Sequence, residues 1–335
     1  MMVGTSEAKS QIGGNSVYRF LEMAPSARIG ALGSNFLSVN DNDLMLAYSN
    51  PALLNKEMSN NVGINYLNYF SDINSGFITY SRHIEKIGSF AGSLQFINYG
   101  DFTRTDAQGN EYETFKASEY AFTVGWAKQL SERLSVGVNL KNIWSQLDSY
   151  KSYGLGVDIG ANYMSVNERF SASVVAANIG RQLSSFAGVK EPLPFNLKFG
   201  LSTKFEHAPL RLHFIADQLQ QWDLTYSDPN EEAEIDPFSG EVIQEKGWDF
   251  GDKFMRHIVV GGEFVPGNGN FSVRLGYNYR RRAEMKIADR KAMVGFSWGL
   301  GFKISKFRLS YARAMYSLAG ATNHFTISTN LNDFF

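Results

Sequence analysis

The sequence of 335 residues contains no cysteine, only 8 prolines and almost no net charge, which is −1 at pH 7. The absence of cysteine excludes disulfides, thiolate metal sites and thiol nucleophiles. No stretch approaches the run of about 18 consecutive apolar residues that a membrane-spanning helix requires. The balanced charge gives no overall basic field, so nucleic acid is not expected as a partner.

Motifs for catalysis are also missing. No HExxH sequence, P-loop or GxGxxG in a strand–helix context occurs. The five histidines are His83, His207, His213, His257 and His324. Only His213 and Asp217 share a face of a predicted strand, and catalysis there would also need a positioned nucleophile. A hydrogen-bond network is the favoured interpretation of that pair, so the sequence predicts no enzyme, no cofactor and no metal centre.

What the sequence has in abundance is alternation. In Arg133–Trp144, the apolar Leu134, Val136 and Val138 stand at every second position, with small or charged residues between them. A period of two places the apolar and polar sets on opposite faces of a strand. Similar units recur as RFSA at 169–172, NFSV at 270–273 and KFRL at 306–309. An aromatic content of 14% with a mean hydropathy of −0.23 fits a barrel in which only half of each strand faces lipid.

From residue 61 onward the pattern predicts fourteen strands. They span 62–70, 75–83, 88–99, 115–128, 133–146, 153–164, 169–180, 195–206, 209–224, 254–265, 270–282, 291–304, 306–317 and 323–335. Strands of about 10–14 residues exceed the soluble mode of about 5–6 and suit a tilted membrane crossing. Connections after even-numbered strands are short, and long ones follow odd-numbered strands, as in outer-membrane barrels. The predicted fold class is all-β, a transmembrane antiparallel β-barrel of 14 strands with an N-terminal hatch or plug.

The alternation also assigns side chains to the two sides of the wall. Trp126, Trp144, Phe199 and Trp298 lie on apolar faces predicted to contact lipid, and Val294 is placed on the same face as Trp298. The polar faces carry the charged residues Lys141, Asp158, Lys198, Arg211, Glu263, Arg274 and Arg308. Because unpaired charges in the lumen are costly, pairing across strands is favoured over a conduction path.

The N-terminal region does not alternate. Residues 12–60 contain a Gly/Ser-rich run and a short helical stretch broken at Pro51. We predict three parts: a leftover or altered N-terminus at 1–11 that lacks a signal peptide, a hatch or plug at 12–60, and the barrel at 61–335. A small separate N-terminal subdomain is the alternative for 12–60. An even number of strands places both termini on the periplasmic side, and the terminal Phe335 resembles the signal that the barrel-insertion machinery recognises.

Three long connections, 100–114, 181–194 and 225–253, are expected outside the cell. The third is strongly acidic, and a solvated loop is the default interpretation. Calcium binding is a lesser alternative, because the EF-hand spacing is missing. The aromatic residues at its end make this loop the first candidate for a protein-docking surface. The candidate partner-binding residues in the three loops are Trp248, Phe250, Phe254, Asp228, Phe102, Arg104 and Phe186.

Four stretches carry a family resemblance. IGGNSVYRFLEMAPSARIGALGSNFLSV at 12–39, DNDLMLAYSNPALL at 41–54, NYGDFTRTDAQGN at 98–110 and FAGVKEPLPF at 186–195 resemble the PorQ family. These are outer-membrane components of the type IX secretion system of Bacteroidota, similar to fatty-acid-transporter-like barrels. The resemblance implies a fourteen-stranded barrel with an N-terminal hatch and a non-enzymatic role in the outer membrane. It implies PorZ as the direct partner, PorU and PorV in the same attachment complex, and outer-membrane lipid around the barrel.

The sequence leaves competing functions open. The leading hypothesis is a barrel that anchors the surface protein PorZ in the complex that processes and anchors secreted cargo. The alternative is an outer-membrane transporter of hydrophobic small molecules, by analogy with the superfamily. An outer-membrane hydrolase ranks third, because no catalytic triad is found. A transporter predicts an apolar pocket near the hatch and a gap in the wall, whereas a scaffold predicts a blocked lumen.

Overall fold

Fourteen strands form a closed antiparallel barrel in the structure, a computed structural model that describes residues 16–69, 71–106, 108–225, 249–267, 269–285, 293–315 and 320–334. The strands, β1 to β14 in chain order, are Asn61–Asn68, Asn74–Ile84, Gly88–Thr105, Glu111–Gln129, Leu134–Leu147, Tyr150–Met164, Phe170–Ser184, Asn196–Lys204, Leu210–Ala216, Ile258–Phe264, Phe271–Asn278, Phe296–Ile304, Phe307–Met315 and Ala321–Asn330. Each strand pairs with its sequence neighbours, and β1 closes the ring by pairing with β14. The predicted fourteen-stranded fold is confirmed.

Helical elements are short. The α-helices are α1 (Ala27–Ala31), α2 (Leu46–Ser49), α3 (Phe250–Met255) and α4 (Tyr279–Glu284). Single 3₁₀ turns occur at Arg19–Glu22, Pro51–Leu53, Lys56–Met58 and Leu331–Asp333. Across the ranges given above, none of the helices has the length and apolarity needed to cross a membrane.

Several predicted strands were wrong at one end. The ninth ends at Ala216 instead of 224, the last ends at Asn330, and α3 and α4 take over part of the tenth and eleventh. Capping side chains explain three of these boundaries. Asp249, Asn278 and Asn330 each accept a hydrogen bond from a backbone N–H two or three residues ahead. Such a bond starts a helical turn and therefore competes with an extended strand.

The placement of Val294 on the lipid face was also wrong. Val294 is buried, and β12 begins only at Phe296. Gly295 between them has a φ of 88°, a left-handed conformation that breaks the alternation.

The predicted loop 100–114 is largely strand. β3 runs to Thr105 and β4 starts at Glu111, and the two stay paired over most of this length. The neighbouring pairings stop earlier, at Asn74↔Asn98 on one side and Ala117↔Leu147 on the other. The tip of the β3–β4 hairpin therefore extends past the adjacent strands.

The two ends of the barrel differ. Connections after even-numbered strands are short at what we call the short-turn end. The longest connections, 185–195, 217–257 and 279–295, all lie at the opposite, long-loop end. The tip of the β3–β4 hairpin is at the long-loop end as well.

The outer face of the wall is apolar, as predicted. Trp144 and Phe199 are 45% and 37% exposed. Trp126 and Trp298 are half-buried and alternate along their strands with the exposed Val124 and Phe296. Exposed aromatic and aliphatic side chains around a closed barrel suit contact with lipid.

Residues 16–58, here called the inner segment, lie inside the barrel. α1 packs against β11 to β14, and the turn Pro51–Leu53 packs against β4 to β6. Small wall residues make this approach possible: a Cβ on Gly137 would collide with the Pro51 carbonyl, and one on Gly276 with the backbone at Leu32. Buried apolar residues of the segment and the wall then form a shared core, which includes Ile29, Leu32, Phe36, Leu37, Leu46, Leu53, Val175, Ile215 and Val259.

Candidate functional site

Three guanidinium groups meet around one buried carboxylate inside the barrel. Glu263 of β10 is 0% exposed. Arg28 of α1 donates to its two oxygens through Nε and Nη2, both at 2.8 Å. Arg274 Nε donates at 2.9 Å and Arg211 Nη1 at 3.1 Å. This group, the Glu263 cluster, fastens the inner segment to the wall by charge-assisted hydrogen bonds.

Two further carboxylates of the inner segment balance the positive charge. Asp41 lies 2.8 Å from Arg28 Nη2, and Asp43 lies 3.1 Å from Arg28 Nη1. Burial alone would raise the pKa of Asp41, but Arg28 and Arg211 outweigh it and hold this pKa below its ordinary value. Asp41 is therefore ionised at neutral pH, and the cluster pairs three cations with three anions.

A second polar group joins the inner segment to β5, β6 and β7. Lys141 Nζ lies 2.8 Å from Asp158 Oδ2, and both side chains are 2% exposed. The same ammonium donates to Asn178 Oδ1 at 2.8 Å and stands 4.8 Å from the ring centroid of Tyr48. Asn139 Nδ2 donates to the Tyr48 carbonyl at 3.2 Å. This Lys141 cluster anchors the end of α2 against the wall.

Two charged residues predicted for the lumen, Lys198 and Arg308, lie outside these two clusters. Lys198 Nζ donates to Asn35 Oδ1 of the inner segment at 3.0 Å. Arg308 lines a cavity of about 420 Å³ near the short-turn end. Most of the charges on the polar faces thus pair with one another or with the inner segment, as the preferred interpretation required, and the inner segment occupies the lumen between them.

The candidate catalytic pair does not form. His213 Nε2 lies 3.3 Å from Glu263, and its ring meets Phe36 edge-on at 4.5 Å. Asp217 instead accepts from Asn196 at 2.9 Å and lies 3.5 Å from Arg280. Nor do any three His, Asp or Glu side chains in the described ranges have the arrangement of a metal site. The geometry of this region is that of a structural ion-pair network.

Exposed aromatic rings gather at the long-loop end. Phe250 and Phe254 of α3 are 72% and 44% exposed, and Trp222 is 51% exposed. Ring centroids lie 5.3 Å apart for Trp222–Phe250 and 6.5 Å apart for Phe250–Phe254. We call these three residues the aromatic cluster. The other candidates from this loop, Trp248 and Asp228, lie outside the described residues.

The candidates from the other two loops separate. Phe102 is 41% exposed and stacks on Phe115 in the β3–β4 hairpin, with ring centroids 5.2 Å apart. The Arg104 guanidinium lies 5.6 Å from the centroid of the Phe115 ring. Arg104 also bridges to Asp148 in the next connection at this end. Phe186, in contrast, packs half-buried against the apolar cluster formed by the start of the inner segment. Phe102 and Arg104 are therefore surface residues, whereas Phe186 faces inward.

Sequence reasoning missed Arg28 and Trp222. Arg28 lies in a segment without periodicity, so nothing local reveals its partner 235 residues away. Trp222 was included in the ninth strand. The sequence did carry a signal here, because Trp222 stands between the polar Gln221 and Asp223, which suits a loop more than a lipid-facing strand.

Solved structures with a similar fold are outer-membrane barrels. The toluene transporter TodX of Pseudomonas putida is 12% identical, with 91% of this chain and 96% of that chain covered and a TM-score of 0.53. A FadL homologue of Pseudomonas aeruginosa is also 12% identical, with 92% and 99% covered and a TM-score of 0.50. At this identity the likeness concerns the fold alone. A search of curated proteins finds no match.

Family membership comes from the N-terminal three-fifths of the chain. A sequence model of the family described as "Type IX secretion system protein PorV" matches residues 6–210. The matched range holds the inner segment, the β3–β4 hairpin and the strands through β8. It covers more than half of the chain. The protein therefore belongs to the PorV family of type IX secretion system proteins, and it is an outer-membrane β-barrel.

Proposed function

We propose that this barrel is a non-enzymatic scaffold that anchors a cell-surface protein of the type IX secretion machinery. The observation that carries the proposal is the aromatic cluster, exposed at the long-loop end of a barrel whose lumen is filled. Clustered aromatic rings are the side chains most often found at the centre of protein interfaces. Exposed apolar side chains that form a contiguous patch mark interaction sites, whereas apolar residues scattered singly over a surface are normal.

The filled lumen supports a scaffold. The inner segment acts as a plug that the Glu263 cluster joins to β10 and the Lys141 cluster joins to β5. Removing one partner from a buried ion pair costs about 3–5 kcal/mol, so withdrawal of the segment would be strongly unfavourable. A barrel with such a plug suits attachment better than passage.

The partner is assigned by resemblance. The stretches at 12–39 and 98–110 resemble PorQ, and this resemblance implies PorZ as the direct partner and PorU and PorV in the same complex. Both termini then lie in the periplasm and the long-loop end faces outward. The described turns at the short-turn end are too small to offer the roughly 800 Å² per partner of a stable interface.

Transport of hydrophobic small molecules is the second candidate. It is supported by the fold shared with a toluene transporter and by a cavity of about 250 Å³ between Leu54 of the inner segment and Leu134 of the wall. The same cavity is also lined by Lys56, Lys128 and Arg133, which suit an apolar ligand poorly. Faster uptake of labelled toluene into liposomes that contain the wild-type barrel than into protein-free liposomes would favour this candidate, and equal rates would favour the scaffold.

The scaffold predicts that partner retention depends on the aromatic cluster. Replacing both Phe250 and Phe254 by alanine should lower the affinity for PorZ by at least about 30-fold and reduce its recovery with the purified barrel, since a single hot-spot residue contributes roughly 2 kcal/mol or more. Recovery is measured by affinity purification from membranes, after heat-modifiable gel migration has shown that the barrel is folded.

Two comparison variants sharpen this experiment. Phe205→Ala removes a ring at the short-turn end that is 46% exposed, about as much as Phe254, and should leave PorZ recovery unchanged. Deleting Asp228–Glu245 should leave the barrel folded and reduce recovery less than the double substitution, because solvated charges contribute little. Equal PorZ recovery from wild type and the double variant would contradict the aromatic cluster as the dock.

A further inference from the structure

A cavity of about 240 Å³ opens at the long-loop end and carries more positive than negative charge. The basic side chains in its lining are Arg19, Lys198, Arg280 and Arg281, and the acidic ones are Glu22 and Asp217. Its floor is formed by the inner segment and β8. This cavity is separate from the Glu263 cluster, whose residues do not line it.

Lys198 in the lining of this cavity has no carboxylate partner among the described residues. Its Nζ donates to the Asn35 amide oxygen at 3.0 Å, and no salt bridge within 4.0 Å joins it to Asp or Glu in the described part of the chain. The side chain is half-buried on the lumen-facing side of β8. A half-buried ammonium with only an amide partner favours the arrival of an anion.

Arg280, in the lining of the same cavity, is loosely held. Arg280 Nη2 lies 3.5 Å from Asp217, and Arg280 Nε lies 4.0 Å from Glu284. The nearby Arg256–Asp252 pair is closed at 2.6 Å. Burial raises the pKa of Glu284, whereas Arg280 and Arg256 lower it. Arg280 can therefore turn to a stronger acceptor without losing a tight bond.

The cavity and the aromatic cluster are connected by direct contacts through Asp217 and His257. Asp217 lines the cavity, its N–H donates to the His257 carbonyl at 2.8 Å, and His257 Nδ1 lies 2.7 Å from the Asp217 carbonyl. The His257 ring stacks on Trp222, with centroids 5.7 Å apart. A protein that covers the aromatic cluster is thus held directly beside the cavity.

We propose that the cavity receives an acidic side chain of the partner, an aspartate or glutamate next to the apolar residue that packs on the aromatic cluster. The proposal rests on the scaffold function and names the chemistry of the surface that docks there. The carboxylate would accept from Lys198 Nζ and Arg280. Charge complementarity of this kind sets the register of a complex and its association rate more than the total affinity.

The test replaces Lys198 and uses a second lysine of the same strand, Lys204, as the control. Lys198→Glu should lower binding of purified PorZ to the detergent-solubilised barrel by about tenfold or more, because a like charge now faces the carboxylate. Lys198→Met, which removes the charge without reversing it, should give a smaller loss and a weaker dependence of binding on salt. Lys204→Glu makes the same reversal on the same strand at the short-turn end and should bind as wild type does.

The outcomes distinguish this proposal from the scaffold function. If Lys198→Glu binds PorZ like wild type while Phe250→Ala with Phe254→Ala does not, the scaffold stands and the carboxylate pocket is refuted. An oligoglutamate peptide should compete with PorZ for wild type and not for Lys198→Glu. A different result would be tighter binding of this peptide after deletion of Asp228–Glu245, together with equal PorZ affinity for wild type and Lys198→Glu. The cavity would then be occupied by the chain's own acidic loop, and the proposal of a partner carboxylate would again be refuted.

Discussion

Glu263 is the residue on which the charges of the barrel interior converge. Its two oxygens accept from Arg28, Arg211 and Arg274, all within 3.1 Å. A carboxylate with no exposure to water is tolerated only because these donors replace its hydration. Each arginine in turn depends on Glu263, so the effect of losing it exceeds that of losing one surface pair.

Replacing Glu263 by glutamine should therefore destabilise the folded barrel by about 3–5 kcal/mol, since it leaves buried guanidinium groups without their shared anion. Urea unfolding in bilayers, followed by tryptophan fluorescence, measures the loss. Glu206→Gln is the matched control, because Glu206 also pairs with an arginine, Arg169, but at an exposed turn. Equal midpoints for the two variants would show that the Glu263 cluster does not hold the interior together.

Half of this cluster could be predicted from the sequence. Arg211, Glu263 and Arg274 stand on polar faces of alternating strands, and pairing across strands was the expectation for them. Arg28, Asp41 and Asp43 come from a segment without alternation, so no period assigns them a direction. Their meeting with Glu263 is a long-range consequence of closing the barrel around the inner segment.

At the scale of elements, the inner segment and the wall are shaped to each other. Wall glycines stand where the segment approaches: Gly137 and Gly160 face the turn at Pro51, and Gly276 faces the end of α1. A strand glycine often marks such a close backbone approach. The short helices themselves are begun by local caps, Ser26 for α1 and Asn50 for the turn at Pro51.

A side chain at Gly137 should push the inner segment away from the wall. The Cβ of Gly137→Val would collide with the Pro51 carbonyl, and overpacking of this kind typically costs about 1–3 kcal/mol. We expect higher ionic conductance of the variant in planar bilayers than of wild type. Gly92→Val, at a strand glycine with open space around it, should keep the wild-type conductance. Unchanged conductance of a folded Gly137→Val barrel would contradict the role of the inner segment as a seal.

Element boundaries were harder to predict than element number. Two predicted strands extend into residues that the structure places in α3 and α4, because periodicity alone does not register a capping Asp249 or Asn278. In the β3–β4 hairpin the prediction was wrong in the opposite direction. Its polar and charged tip was predicted as a loop, but the two strands stay paired there. Stacking of Phe102 on Phe115 and the bridge from Arg104 to Asp148 add contacts that local composition does not reveal.

At the scale of the whole molecule, the strand count and the closed topology followed from the sequence. Fourteen alternating segments with short connections at one end leave little choice other than an antiparallel ring, since consecutive strands joined by tight turns pair with each other. Closure between β1 and β14 then removes both sheet edges. The assignment of the apolar face to the outside depended on strand length, and the exposed aromatic residues of the wall agree with it.

The lipid-facing assignment predicts how a charge in the wall affects insertion. Val138 lies on the outer face of β5, opposite Trp126 of β4 and Ile159 of β6. If this site is near the middle of the bilayer, an arginine there should cost about 2–4 kcal/mol, because the charge must leave water. The folding yield of Val138→Arg into lipid vesicles should fall accordingly, while Val166→Arg, in the exposed turn after β6, should fold as wild type does. A normal yield for Val138→Arg in bilayers would place this face against water or protein rather than lipid, and the outer surface of β4 to β6 would then have to be a contact with another member of the secretion complex.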